Sequence, residues 1–249
     1  MQQIVSLLQS SIWFGTVILY GAMGEILTEK SGNLNLGVPG IMSLGAIGGL
    51  IGSFFYETRV EEPNAAICLL VTLLCALGLS LFGGLIYSFL TITLRANQNV
   101  TGLTLTIFGC GIANFYGSSL NTLAGGVGQI SLPVTSSAFR AVLPGLRETP
   151  ILNTLGWLSV ALVIFARWKP IHAIWGSYLF GVLNWLYFYF ADLLGLVGIS
   201  ITMTRSSQEI FKMLPYVVTI LVLIFVSFRR KREDQPPAGL GLPYFREER

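Results

Sequence analysis

Residues 65–94 read AAICLLVTLLCALGLSLFGGLIYSFLTITL and contain no charged side chain. As an α-helix, this stretch would be about 45 Å long at 1.5 Å per residue. A hydrocarbon core of roughly 30 Å needs only about 20 such residues, so the stretch is typical of a membrane-spanning helix with length to spare. We expect that tilt, a kink or a turn near Gly83-Gly84 takes up the length that exceeds the membrane thickness.

Six further apolar runs flank this one in a chain of 249 residues. They are residues 12–27, 36–55, 100–120, 151–166, 171–193 and 211–228. Only 11% of the residues are charged, the mean hydropathy is +0.70, and a soluble domain carries about 25% charged residues. The sequence therefore predicts an all-α integral membrane protein. It has about seven transmembrane helices over residues 1–228, followed by a polar cytoplasmic tail over residues 229–249.

Basic residues in short loops predict which side of the membrane each loop faces. The cluster Arg229-Arg230-Lys231-Arg232 directly follows the last run and places the C-terminus in the cytoplasm. Counting back through seven spans puts Lys30, Arg95 and Arg167 inside as well. The acidic loop, residues 56–64, and the N-terminus then fall outside.

No pattern in the sequence is typical of an enzyme or a metal site. His172 is the only histidine, which excludes a site with several histidine ligands. No nucleophile turn, Cys-x-x-Cys pair or phosphate-binding glycine loop occurs. We predict no catalytic residue, no metal ligand and no cofactor, so any ATP used must be bound by another chain.

Residues 31–40, SGNLNLGVPG, cannot form a regular helix because they combine glycine, asparagine and proline. They predict an irregular segment that feeds a helix starting near Pro39. Irregular backbone at membrane depth is tolerated only where protein buries it or where it lines a cavity. Glu25, in the preceding helix, is expected to pair with Lys30 or to cap a neighbouring helix. The predicted structural motif consists of Glu25, Asn33, Asn35, Gly37, Pro39 and Gly40.

The start of the fourth helix is unusually rich in amide and hydroxyl side chains. Polar groups inside a membrane are costly, and they are typical of a solute path. They could equally hydrogen-bond neighbouring helices together, and the sequence leaves both readings open. The candidate path residues are Asn99, Thr101, Thr104 and Asn114.

Small residues recur at helical spacing in two of the runs. They are Gly45, Gly48, Gly49 and Gly52 in the second run, and Gly109, Gly111, Ala113 and Gly117 in the fourth. Such residues let membrane helices pack closely. Either these two helices approach each other beside a solute path, or each packs on an ordinary neighbour.

Four stretches resemble the permease subunits of bacterial ABC importers for nucleosides, ribose and branched-chain amino acids. They are residues 24–42, 97–109, 161–170 and 236–249. The likeness covers nearly the whole chain and is nearest to the nucleoside-type branch, with the first and last stretches fairly specific. Many relatives carry Glu where Pro39 stands, which implies a subgroup with a different solute.

The resemblance implies inward transport of a small polar solute, with a nucleoside favoured and a sugar or an amino acid possible. It also implies a multi-pass location in the bacterial plasma membrane. The implied partners are an ATP-binding cassette ATPase, a second permease subunit, an extracytoplasmic solute-binding protein and membrane lipid, with no nucleic acid.

One departure from the family pattern follows Trp157. In relatives, two further spans and a cytoplasmic loop that docks on the ATPase separate the stretches matching residues 151–157 and 158–170. Here these stretches are contiguous, so about 60–80 residues are expected to be absent by span-length arithmetic. The alternative function is therefore an internally deleted, non-transporting remnant or a regulatory membrane subunit of the same family.

Overall fold

The computed structural model describes residues 2–126, 130–142, 152–195, 205–229 and 236–242, and no strand occurs within these ranges. Eight α-helices lie in them. They are α1 (Gln2–Lys30), α2 (Val38–Arg59), α3 (Ala65–Ser88), α4 (Gln98–Leu123), α5 (Pro133–Val142), α6 (Leu152–Ala166), α7 (Pro170–Gly195) and α8 (Arg205–Arg229). The all-α class predicted from the sequence is confirmed.

Each of the seven predicted apolar runs overlaps one of these helices, and the short helix α5 is additional. Four helices of the described chain are long and apolar enough to cross a membrane: α1, α2, α3 with the turn that follows it, and α4. Helix α8 holds a shorter apolar stretch, Ile210–Phe225. The count of seven spans and the direction of the termini stay predictions.

Helix α3 takes up its excess length at its end rather than near its glycine pair. It runs through Gly83 and Gly84 without a break and then continues as a π-helical turn over Phe89–Thr93. The Leu94 amide donates to the Phe89 carbonyl at 3.0 Å, which is the wide bond of a π-turn. Of the three alternatives, a turn near Gly83-Gly84 is therefore wrong, because Gly83 is buried against the Leu44 side chain and stays helical.

The helices belong to two compact units. The terminal unit comprises Met1–Gly32 and Trp157–Leu240, and it holds α1, most of α6, α7 and α8. The central unit comprises Asn33–Gly156 and Gly241–Arg249, and it holds α2 to α5. Both units combine stretches that are far apart in the sequence.

The terminal unit is organised by close packing of α1 on α7. A Cβ atom added to Gly15 would lie 3.0 Å from the Ser177 carbonyl carbon, and one added to Gly181 would lie 3.0 Å from that of Ser11. Helix α6 joins α1 through the Ser159 hydroxyl, which donates to the Ile18 carbonyl at 3.2 Å. Small residues at the contact thus allow backbones to approach as they do in membrane helix bundles.

In the central unit, α2 contacts two neighbours through different glycines. Gly45, Gly48, Gly49 and Gly52 all face α3, and a Cβ atom on Gly48 would lie 2.7 Å from the Cys75 carbonyl oxygen. The contact with α4 is made instead by Gly40, against Gly109. Gly111 has open space around it. The glycine stripe of the second helix thus packs on its sequence neighbour α3.

We expect Gly109→Ala to destabilise the protein, because the added methyl group would lie 2.7 Å from the Gly40 Cα atom. Overpacking of this kind costs about 1–3 kcal/mol, and each kcal/mol lowers the melting temperature of a protein of this size by about 2–4 °C. Gly111→Ala on the same helix is the matched control and should melt like the parent. Melting in detergent, followed by fluorescence-detected size exclusion, measures both, and equal melting temperatures would contradict the contact.

Candidate functional site

The irregular segment ahead of α2 forms a turn of its own. The Asn35 side-chain oxygen accepts from the Gly37 amide at 2.9 Å, which is the local turn that asparagine favours. Helix α2 begins at Val38, and Pro39 lies in its first turn, where a missing N–H costs nothing. The predicted helix start near Pro39 is therefore confirmed.

Three side chains from α3 and α4 supply hydrogen bonds to the backbone of this segment. The Tyr87 hydroxyl donates to the Leu34 carbonyl at 2.6 Å, and the Gln98 side-chain oxygen accepts from the Leu34 amide at 2.7 Å. The Thr106 hydroxyl donates to the Leu36 carbonyl at 2.8 Å. Buried backbone groups outside regular structure need such partners. Gln98 and Thr106 belong to the polar start of the fourth helix, for which the sequence left hydrogen bonding to neighbours open, whereas Tyr87 lies in an apolar run that shows no signal.

Two glycines of α4 let the segment and the start of α2 lie directly on the helix. A Cβ atom on Gly102 would lie 2.8 Å from the Leu36 amide nitrogen, and one on Gly109 would lie 2.7 Å from the Gly40 Cα atom. Gly102 and Gly109 are seven residues apart and therefore share one face of α4. This face of α4 is filled by backbone and has no room for a solute.

The candidate path residues separate onto two sides of α4. Asn99, Thr104 and Asn114 are exposed, whereas Thr101 is buried. At 100° per residue the three exposed residues fall within an arc of about 140°, with Thr104 about 160° and Asn99 about 60° from Gly102 around the helix. We call the surface within this arc the open face of α4. The structure thus leaves three of the four candidates exposed, spread over about 22 Å of the helix axis, and buries Thr101.

The open face is uncharged, and an exposed aromatic pair follows its last polar residue along the chain. No Asp, Glu, Lys or Arg occurs in Gln98–Leu123. Phe115 and Tyr116 directly follow Asn114, are both exposed, and meet edge to face with ring centroids 5.4 Å apart. Amide and hydroxyl groups donate and accept hydrogen bonds, and aromatic rings offer flat apolar surfaces. Sequence reasoning overlooked this pair because aromatic residues are common in membrane helices.

Glu25 belongs to a buried cluster in the terminal unit. Glu25 is 1% exposed and Glu29 is 3% exposed, and they lie one helical turn apart on α1. Lys30, one of the two expected partners of Glu25, is exposed. The structural role of Glu25 stays a prediction.

The short connection between α6 and α7 delivers an indole to this cluster. Arg167 and Trp168 both have positive φ angles, of 54° and 55°, a conformation that costs a non-glycine residue roughly 1–2 kcal/mol. The Trp168 indole N–H donates a hydrogen bond to the Glu29 carboxyl group. This bond to a buried acid offsets the backbone strain of the connection.

A third acid stabilises the far end of the central unit. The two carboxylate oxygens of Glu57 accept from the backbone amides of Val134 and Thr135, at 2.8 and 2.9 Å, and from the Thr135 hydroxyl at 2.6 Å. A negative charge at the N-terminus of a helix is favourable. Helix α5 is therefore anchored to the end of α2, beside the acidic loop at residues 56–64.

We expect Trp168→Phe to lower the stability of the terminal unit, since the Glu29 carboxyl group would lose its indole donor. Hydrogen bonds to charged groups contribute about 1.5–3 kcal/mol. Trp175→Phe on α7 is the control, because Trp175 is 74% exposed and surface changes usually stay within about 0.5 kcal/mol. If the Trp168→Phe and Trp175→Phe proteins have the same melting temperature, the Trp168 indole contributes nothing to stability.

Comparison with known proteins identifies the family of the chain. Residues 6–145, more than half of the chain, match the family described as branched-chain amino acid transport system / permease component. The chain therefore belongs to this permease family. It is not itself an enzyme, and membership implies an ATPase partner and a substrate-binding protein.

Two curated relatives align over most of their length. A protein of Haloferax volcanii named as a glucose ABC transporter permease is 25% identical over 313 positions, which cover 90% of this chain and 92% of the relative. A guanosine ABC transporter permease of Bacillus subtilis is 20% identical over 337 positions, which cover 99% of each chain. No solved structure matches the chain.

Proposed function

We propose that this permease carries a neutral, ring-containing polar solute into the cell, with a nucleoside favoured and a sugar as the second candidate. The observation that supports this most directly is the open face of α4, an uncharged surface that exposes Asn99, Thr104 and Asn114, the last of them next to an aromatic pair. Glucose and guanosine, named for the two relatives, are uncharged and both contain a hydroxylated ring. The open face suits that shared chemistry.

An amino acid is the weaker candidate. A free amino acid carries an ammonium and a carboxylate group, and taking charges out of water is costly unless they are paired. The open face offers amide and hydroxyl groups but no charged side chain. A neutral solute needs only hydrogen bonds and apolar contacts, which this face can supply.

The path forms where two permease chains face each other. Among the described residues of the central unit, Asn99, Thr104 and Asn114 stay exposed, and lipid is a poor partner for the amide groups of Asn99 and Asn114. A second permease subunit, identical or different, would enclose these groups. Thr101 then supports the packed side of α4 and does not contact the solute.

The permease role is preferred over that of a non-transporting remnant. Both relatives named as permeases align over nearly their full length. The alignments also support an internal shortening: 90% of 249 residues is about 224, and 99% is about 247, so about 90 positions of each relative lie opposite gaps in this chain. We place the shortening after Trp157 and assign transport to the shortened chain.

We expect Thr104→Val to lower solute uptake two- to tenfold. The change keeps the shape of the side chain and removes its hydroxyl group, and one hydrogen bond contributes about 0.5–1.5 kcal/mol. Thr16→Val on α1 is the control, because it makes the same change on another helix and the Thr16 hydroxyl donates to the Ile12 carbonyl of its own turn. Asn114→Leu should reduce uptake further.

Uptake of radiolabelled guanosine, glucose and leucine is measured in cells that carry the matching ATPase and solute-binding protein. Expression of each variant is checked by size exclusion. Saturable guanosine or glucose uptake that Thr104→Val leaves unchanged would contradict the assignment of the path. Leucine as the only transported solute would contradict the solute class.

The predicted orientation in the plasma membrane is tested by labelling. In intact cells, the cysteine introduced by Glu62→Cys in the acidic loop should react with a membrane-impermeant maleimide. The cysteine introduced by Lys30→Cys should not react. Both parent side chains are exposed. The unaltered protein corrects for Cys68, Cys75 and Cys110. Labelling of Lys30→Cys alone would reverse the predicted topology.

A further inference from the structure

The segment Pro236–Leu242 is ordered, although we expected the tail to be only a polar extension. The Leu240 amide donates to the Pro237 carbonyl at 3.0 Å and closes a turn. Gly241 follows with φ of +80°, a value that favours glycine. We call residues 236–242 the C-terminal strap. Most of its residues are exposed, including Ala238 and Leu242.

The strap is attached to the first turn of α4 through Gln98. The Gln98 side-chain nitrogen donates to the Leu242 carbonyl at 3.0 Å and to the Asn33 side-chain oxygen at 3.4 Å. Its oxygen accepts from the Leu34 amide at 2.7 Å. Gln98 is 4% exposed, so the strap closes over a buried amide. One side chain therefore links the strap, the irregular segment and α4.

The other connections at this predicted cytoplasmic end are short. Residues 31–37 join α1 to α2, residues 94–97 precede α4, and residues 167–169 join α6 to α7. None of these three described connections contains a helical turn that could reach beyond the membrane surface. The chain beyond Arg229 adds 20 residues at the same end, and the strap is its described part.

We propose that the C-terminal strap is the surface on which the ATPase subunit docks, and that Gln98 passes the position of the strap to α4. The proposal rests on the permease function proposed above. An ATPase in the cytoplasm can move a membrane helix only through polypeptide that it contacts. Ala238 in the strap is exposed, and Leu242 at its end accepts a hydrogen bond from Gln98, the residue before Asn99.

Gln98 positions the strap and does not contact the solute. A displacement of Leu242 would act through Gln98 on the first turn of α4. Through the Leu34 amide it would also act on the irregular segment that leads into α2. Movement of the strap would then shift α4 and α2 together. These two helices carry the open face and the backbone contact that supports it.

Three variants test the proposal. A chain that ends at Gln235 removes the strap and keeps the basic cluster after α8. Ala238→Glu places a charge on the exposed side of the strap and leaves its hydrogen bonds intact. Gln98→Glu keeps the acceptor for the Leu34 amide, loses the donor to Leu242, and adds a charge that a helix N-terminus tolerates. Thr16→Val is the control.

Each variant is expressed with the ATPase and the solute-binding protein and purified in mild detergent. The shortened chain and Ala238→Glu should recover at least tenfold less ATPase than the parent. Gln98→Glu should retain most of the ATPase, but its rate of solute-stimulated ATP hydrolysis should be at least threefold lower than that of the parent. A monodisperse size-exclusion peak for Ala238→Glu or Gln98→Glu keeps the test valid if the shortened chain does not fold.

The outcomes separate the two proposals. Full recovery of ATPase by the shortened chain or by Ala238→Glu would overturn the strap as the docking surface while leaving the permease function intact. Unchanged coupling in Gln98→Glu would overturn the role of Gln98. Failure of the parent chain itself to recover any ATPase would overturn the permease function, and the strap proposal with it.

Discussion

Backbone contact between Gly40 of α2 and Gly109 of α4 leaves no room for a side chain on either residue. Because the two backbones touch, the irregular segment just before α2 must lie along the first turns of α4, where Gly102 makes space for it. Its free amide and carbonyl groups then fall within reach of Tyr87, Gln98 and Thr106. The rest of the central unit depends on this contact.

The same contact decides which side of α4 is available to a solute. Packing against Gly102 and Gly109 occupies one side of the helix and leaves Asn99, Thr104 and Asn114 exposed. Exposed Val100, Leu103 and Ile107 share their arc. Amide groups are unfavourable in lipid, and the solute path that we propose between two permease chains would give them a partner.

The chain belongs to the permease family, and its described connections between helices are short. Movement of an ATPase must therefore be passed to the membrane helices by some other part of the chain. The strap offers a physical answer, since a single buried amide joins it to α4 and to the irregular segment. Hydrogen bonds confined to one helical turn would transmit little movement from one part of the chain to another. Gln98 instead connects the start of α4 with two other stretches of the chain, which lie 64 and 144 residues away from it in sequence.

The sequence by itself determined the all-α membrane class, the permease family, the irregular segment before Pro39 and the polarity of α4, because composition and local backbone chemistry are properties of contiguous residues. Only the tertiary structure decided that Thr101 is packed while Thr104 is open, and that the glycines of α2 face α3. Helical spacing defines which residues share a face, but a face acquires a partner only through contacts between residues distant in the chain. Tyr87 and Leu242 show the same limit, since neither carries a local signal and both take their roles from where distant residues place them.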